Sequence, residues 1–287
     1  MKLGNINYEN NGETYKSFFK AYGHCWSKVC VSNALMLLFN ILSMLIGFAI
    51  IMFMVPFIFP FFVPDSLKDY LVTNGYIDAE ATAEAVQSLY YLACLVLEML
   101  LCGFMLVING PVQCGIAYFM RNLLQGGGSM WPDIKKGVKE NWKKSLAASF
   151  LSILMTVILI FNIGYYRNVG MGGITPIIQG FFTWCLVFWG WMQLYVYPLI
   201  ACTNLSLKDV YRNAALFSIK GFLPTLGIFA VETVLFLVLP SVLIFFAGQI
   251  GYSIAVLLYL LFSFGFVSFL ATYQSWKFIR EYVKEEH

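Results

Sequence analysis

Charge is what this sequence has least of: 11% of its 287 residues are Asp, Glu, Lys or Arg, against about 25% in a soluble domain. With 60% of the chain apolar, that scarcity excludes burial of the apolar surface in one water-soluble core. Histidine is nearly absent, with His24 and His287 alone, so neither a histidine metal cluster nor a serine triad can be assembled. His24 reads as an interfacial side chain beside Trp26. No close Cys-x-x-Cys pair occurs among Cys25, Cys30, Cys94, Cys102, Cys114, Cys185 and Cys202. Cys94 and Cys102 would sit about 12 Å apart along one helix, too far to join, and reduced thiols acting as small apolar side chains are expected. Gly126–Gly128 is not followed by Lys-Ser or Lys-Thr, which excludes the nucleotide-phosphate loop of that form. No cofactor is expected. A net charge of +3 with basic stripes at the ends of greasy segments argues against nucleic-acid binding.

Long uncharged runs are what the sequence has instead. Residues 29–64 and 168–207 contain no Asp, Glu, Lys or Arg, and a membrane span needs about 20 apolar residues. The pattern predicts an all-α polytopic membrane protein, a single integral membrane domain over residues 1–287. Six transmembrane helices are expected, over about 29–55, 89–120, 145–163, 176–203, 221–246 and 250–276. Pro56, Pro60 and Pro64 should kink or end the first near an interface. "AGQIGY" (Ala247–Tyr252) should form a tight turn between the last two. No cleavage pattern follows the first run, so that span is expected to stay as an anchor.

Positive charge then sets orientation. All but Lys68 and Arg167 of the 18 lysines and arginines fall at the termini and in the second and fourth connections. Since cytoplasmic loops carry the excess of Lys and Arg, both termini are expected to be cytoplasmic in a multi-pass arrangement. The basic connection "GGGSMWPDIKKGVKENWKK" also has helical periodicity. Ile134, Val138 and Trp142 recur every four residues beside Lys135, Lys139 and Lys143, with Pro132 and Asp133 suited to a first turn. Such a segment is expected to lie along the inner membrane surface, with Gly126–Gly128 as the hinge into that plane. Its lysines would hold anionic headgroups or dock another protein. Tyr15, Phe18, Phe19, Tyr22 and Trp26 with Lys16, Lys20 and Lys28 repeat the design before the first span. Leu207, Val210, Tyr211 and Ala214 with Lys208 and Arg212 repeat it before the fifth. "WSKVCVSNAL" from Trp26 echoes "WKKSLAASFL" from Trp142, which suggests three tandem units, each a short amphipathic cytoplasmic surface helix followed by a hairpin.

"NGPVQCGIAYFMRNLL" (Asn109–Leu124), the helix "PDIKKGVKENWKKSL", and "YVYPLIACTNLSLKDVYRNAALFSIKGFLP" (Tyr195–Pro224) resemble the YesL-like family of bacterial membrane proteins, a domain of unknown function. Gly110 and Pro111 match that family's span-closing Gly-Pro, and Tyr197 and Pro198 match its aromatic-Pro before a polar link. The resemblance covers about residues 15–276. It implies location in a bacterial cell membrane and an accessory role beside carbohydrate importers of the ATP-binding-cassette (ABC) type. Permease subunits and an extracellular substrate-binding protein would then be partners, besides the lipid bilayer. The acidic loop over residues 65–88 departs from the compact family pattern; its Asp65, Asp69, Asp78, Glu80 and Glu84 face only Lys68 in sign. It reads as a solvated helix or a resting place for that binding protein.

Two carboxylates stand inside predicted spans, where a charge is expensive unless neutralised, paired or hydrated. Glu232 lies about 18 Å along a helix from Lys220, near mid-membrane, and Glu98 about 34 Å from Arg121, near the outer interface. Three readings of function follow. The first is a non-enzymatic accessory subunit of a carbohydrate importer. The second is a stand-alone secondary transporter of a small solute that uses Glu232. Should the cargo be a neutral sugar, Asn162, Gln179, Trp184, Trp189, Trp191 and Gln193 become the residues to examine. A membrane enzyme ranks last, for want of general acid and base pairs.

Overall fold

The computed structural model describes residues 18–78, 80–104, 109–170 and 172–285; Lys2, Tyr15, Lys16 and His287 lie outside them. Among the described residues the chain is made of helices and turns, with no strand. Eleven helices can be followed: α1 Phe18–Phe39, α2 Ile41–Ile58, α3 Pro64–Thr73, α4 Ala83–Phe104, α5 Gly110–Leu124, α6 Met130–Val169, α7 Thr175–Cys202, α8 Leu207–Lys220, α9 Phe222–Thr233, α10 Leu239–Leu258 and α11 Phe264–Glu285. Stretches Ile41–Ile58, Met130–Val169, Gly172–Cys202 and Phe222–Glu281 are long and apolar enough to cross a membrane. The chain is thus an all-α membrane protein.

The last of those stretches is folded back on itself. Gly248 adopts φ 51°, ψ −125°, a conformation that Cβ-bearing residues rarely take, and the reversal falls inside Ala247–Tyr252. Beyond it the Tyr259 hydroxyl donates to Phe236 O at 2.8 Å, although a continuous helix would hold these residues about 34 Å apart. Each arm carries a π-turn, Val234–Val238 and Tyr259–Ser263, and the two face one another.

α5, α7 and α11 contact one another at the centre, with α1 packed against α11 and α5, α6 against α5 and α7, and α9 against α11. Tight packing is concentrated at the basic ends of these helices, where Phe119, Tyr195, Phe217 and Phe269 are fully buried. At the opposite ends apolar side chains face outward, as with Phe53 at 77% and Phe245 at 83% exposure. A lipid solvent asks for this arrangement, since hydrocarbon supplies no drive to hide apolar groups.

Three expectations are corrected. The segment from Ile134 to Lys143 does not lie flat as a short surface helix. It is the first part of α6, one helix of 40 residues, about 60 Å long, twice the hydrocarbon thickness of about 30 Å. Between Pro132 and Ser145, Gly137 is the one strong helix-weakening residue, and Lys and Glu favour a helix, so the hydrogen-bond ladder runs on. Gly126 and Gly128 do have positive φ, but they turn the chain from α5 straight into the antiparallel α6. The first apolar run is likewise broken at Asn40 into α1 and α2, and α1 carries Lys20 and Lys28 on the helix that reaches Phe39. The predicted 89–120 span is divided between α4 and α5, and the latter begins at Gly110 with Pro111 in its first turn.

Candidate functional site

Polar groups inside an apolar bundle need partners, so the unpartnered ones mark where to look. Glu232, near the end of α9, is fully buried, and neither carboxylate oxygen has a hydrogen-bond partner. Glu98 is also buried, on the face of α4 that carries Cys94 and Cys102. The Cys102 thiol reaches Ser43 O at 3.5 Å, which places this face against α2. The two acids belong to different helices, α4 and α9, which contact one another.

A second polar centre lies where α5, α7 and α11 meet. A cavity of about 30 Å3 is lined there by Gln113, Gln193, Tyr197, Pro198 and Ser268, with Met36 contributed by α1. Gln193 is 3% exposed; its amide lies beside the Tyr211 hydroxyl, and the buried Tyr197 hydroxyl lies beside Ser149, neither in good hydrogen-bonding geometry. Pro198 brings no N–H to the carbonyl of Leu194, four residues earlier, and Leu194 also lines the cavity. Next to it a smaller void of about 20 Å3 is lined by Gln113, Met36 and Phe264, and extends to Asn40 at the α1–α2 break.

The residues singled out from the sequence divide by place. Gly110 sits where its N–H donates to Ser149 Oγ at 2.8 Å, and a side chain there would run into α6. Pro111 follows in the first turn of α5, while Tyr197 and Pro198 are at the cavity itself. The four motif residues thus bracket the central meeting point of α5 and α7. Ile134 is buried; Lys135, Lys139, Trp142 and Lys143 are exposed, as are Lys208 and Arg212 on α8, and Val138 is half-buried. Gln193 joins the centre, whereas Asn162 donates to its own helix at Ile158 O, 2.8 Å, and Trp184 is exposed. Gln179 lies in the first part of α7, away from the cavity lining. Trp189 stacks on Tyr211 with ring planes 4° apart, and Trp191 packs edge-on against Phe222 and Phe229; both serve packing between helices.

Sequence reasoning missed Gln113 and Asn33. Asn33 is fully buried on α1, and its amide nitrogen donates to Tyr259 O (2.9 Å) and Leu260 O (2.7 Å) while its oxygen accepts from Gly265 N (2.7 Å). It thereby satisfies backbone groups left free by the second π-turn. Its position opposite Ser149 in the Trp26 and Trp142 echo was the available signal.

Comparison with protein-family models, curated proteins and solved structures finds no match for this chain. Among the described residues, no group of three or more His, Cys, Asp or Glu is placed to hold a metal ion. The central arrangement offers uncharged hydrogen-bond donors and acceptors.

Proposed function

We propose that the chain is a six-span protein of the bacterial cell membrane, with both termini cytoplasmic, and a non-enzymatic accessory subunit of an ABC-type carbohydrate importer. The six spans are α1–α2, α4–α5, α6, α7 and the two arms that meet at Gly248. The observation that carries the accessory reading is the basic end of α6. Lys135, Lys139, Lys143 and Trp142 are exposed on a helix whose opposite side, at Ile134, Gly137 and Asn141, is buried against the bundle. A rigid cationic and aromatic ridge that projects beyond the hydrocarbon suits docking to a protein surface; a segment that only held headgroups would lie in their plane. Lys208 and Arg212 on α8 are exposed as well. The resemblance to the YesL-like family supplies the importer as partner, and exposed Asp65 and Asp69 on the far side would face its extracellular binding protein.

Purification from the native cell in mild detergent, followed by mass spectrometry, tests this. Permease and ATPase chains should co-purify, and changing Lys135, Lys139 and Lys143 together to Glu should cut their recovery about tenfold. A clean homo-oligomer would sink the reading. The alternative is a secondary transporter of a small solute, favoured by Glu232, whose buried carboxylate lacks any hydrogen-bond partner. Uptake into proteoliposomes that is abolished by Glu232→Gln would establish it.

A further inference from the structure

The contacts around the centre repeat with the three hairpins. On α1, Val29 O and Asn33 press against Gly265 at the start of α11; on α6, Ser145 O and Ser149 press against Gly110 at the start of α5. In both cases the glycine N–H donates to the side chain at the second position, Asn33 or Ser149. The echo that begins at Trp26 and Trp142 aligns Val29 with Ser145 and Asn33 with Ser149, so the same register appears in sequence and in contact. In the third unit the first of these positions is Thr225 on α9, whose hydroxyl pairs with Tyr195 of α7 at 2.6 Å, five residues beyond Gly190, and the second is Phe229, which packs edge-on against Trp191. Burial follows this register through all three units: Ala21, Gly137 and Phe217, then Cys25, Asn141 and Gly221, then Val29, Ser145 and Thr225 are all buried.

Extending the match of Gly110 and Gly265 along the central helices brings Gly190 into line on α7. Three residues further on stand Gln113, Gln193 and Ser268. These side chains, remote in sequence, line one cavity at the junction of α5, α7 and α11. Gln113 and Ser268 also match in depth, eight residues from Arg121 and nine from Lys277, about 12–14 Å along a helix.

We propose that the three hairpins are equivalent units about a pseudo-threefold axis, and that Gln113, Gln193 and Ser268 form on that axis a binding site for a neutral, hydroxyl-bearing solute. Carboxamides and hydroxyls both donate and accept, as each hydroxyl of a polyol does. The ring carries no formal charge, so it offers nothing to offset the desolvation of an ion. Leaving the Gln193 amide buried and unpaired is unfavourable, and a bound hydroxyl removes that penalty. The cavity of about 30 Å3 takes one hydroxyl-bearing end of a solute, or two water molecules. The site is independent of the importer assignment: it stands or falls by binding to the isolated chain.

The test uses the full chain in lipid nanodiscs with tritiated glycerol as the probe and radioactive sodium as the counter-probe. Saturable glycerol binding is expected, weakened about tenfold or more by Gln193→Leu and by Ser268→Ala, which sits on a different helix. Ser268→Ala should keep the wild-type thermal midpoint and Gln193→Leu, which removes a buried unpaired amide, should keep or raise it, which separates loss of the site from loss of the fold. Should Gln193→Leu not fold, Ser268→Ala and Gln113→Leu carry the same reading. No saturable glycerol binding to the wild-type chain would show a site that holds water alone and would overturn the proposal, whatever the midpoints of the variants. Sodium binding that the same variants abolish would overturn it as well.

Discussion

Glu232 and Asn33 show the two ways in which a polar side chain can live inside this bundle. Asn33 makes three hydrogen bonds to backbone groups that a π-turn leaves free, and Glu232 makes none. Asn33→Ala should therefore destabilise the protein by about 3 kcal/mol, since each lost bond strands a buried backbone group; thermal unfolding in detergent measures it. Glu232→Met should act in the opposite direction. Removal of an unpaired buried polar group relieves about 1–3 kcal/mol, read as a rise of about 2–8 °C in the thermal midpoint. A lower midpoint would mean that the carboxyl is held by a partner in the native protein. Glu232 was legible in the sequence because an acid inside an apolar run stands out from its neighbours. Asn33 was marked only by its place opposite Ser149 in the echo, and Gln113 was not legible, because amides occur in several spans and only the packing shows which of them reach the centre.

Elements are set by packing as much as by hydropathy. α5 and α6 cross so closely that a Cβ on Gly115 would lie 2.7 Å from Ile134 O, and one on Gly137 would lie 2.9 Å from the Gly115 Cα. Close approach of small residues is the means by which helices associate in lipid, and here it holds the basic part of α6 against the bundle. Gly115→Leu should force the crossing apart and cost about 1–3 kcal/mol, visible as a lower thermal midpoint and a broadened size-exclusion peak. Hydropathy located the apolar rods because it averages over some twenty residues. The same averaging concealed the break at Asn40, where α1 gives way to α2 with little change in composition. It also made the lysine run after Gly128 look like a connection, although the glycine pair that clamps this run to α5 was present in the sequence. The tandem echo was readable at Trp26 and Trp142; Gly110, Gly190 and Gly265 share too little around them to be matched without the contacts.

At the scale of the whole molecule, charge and packing are polarised along one axis. The basic ends are densely packed and the opposite ends present Phe53, Phe245 and Phe246 outward. In the proposed orientation the dense end faces the cytoplasm. Cysteines introduced at Lys139 and Lys208 should then resist an impermeant thiol reagent in intact cells and react after lysis, whereas one at Asp69 should react from outside. Reversed labelling would invert the topology and remove the docking face with it. α6 gives this polarity a mechanical side: a rod of about 60 Å without a joint works as a lever. A rock of about 5° around its far end sweeps the lysine-bearing tip through about 5 Å, so that a small disturbance near the outer leaflet is felt by whatever grips the tip inside the cell.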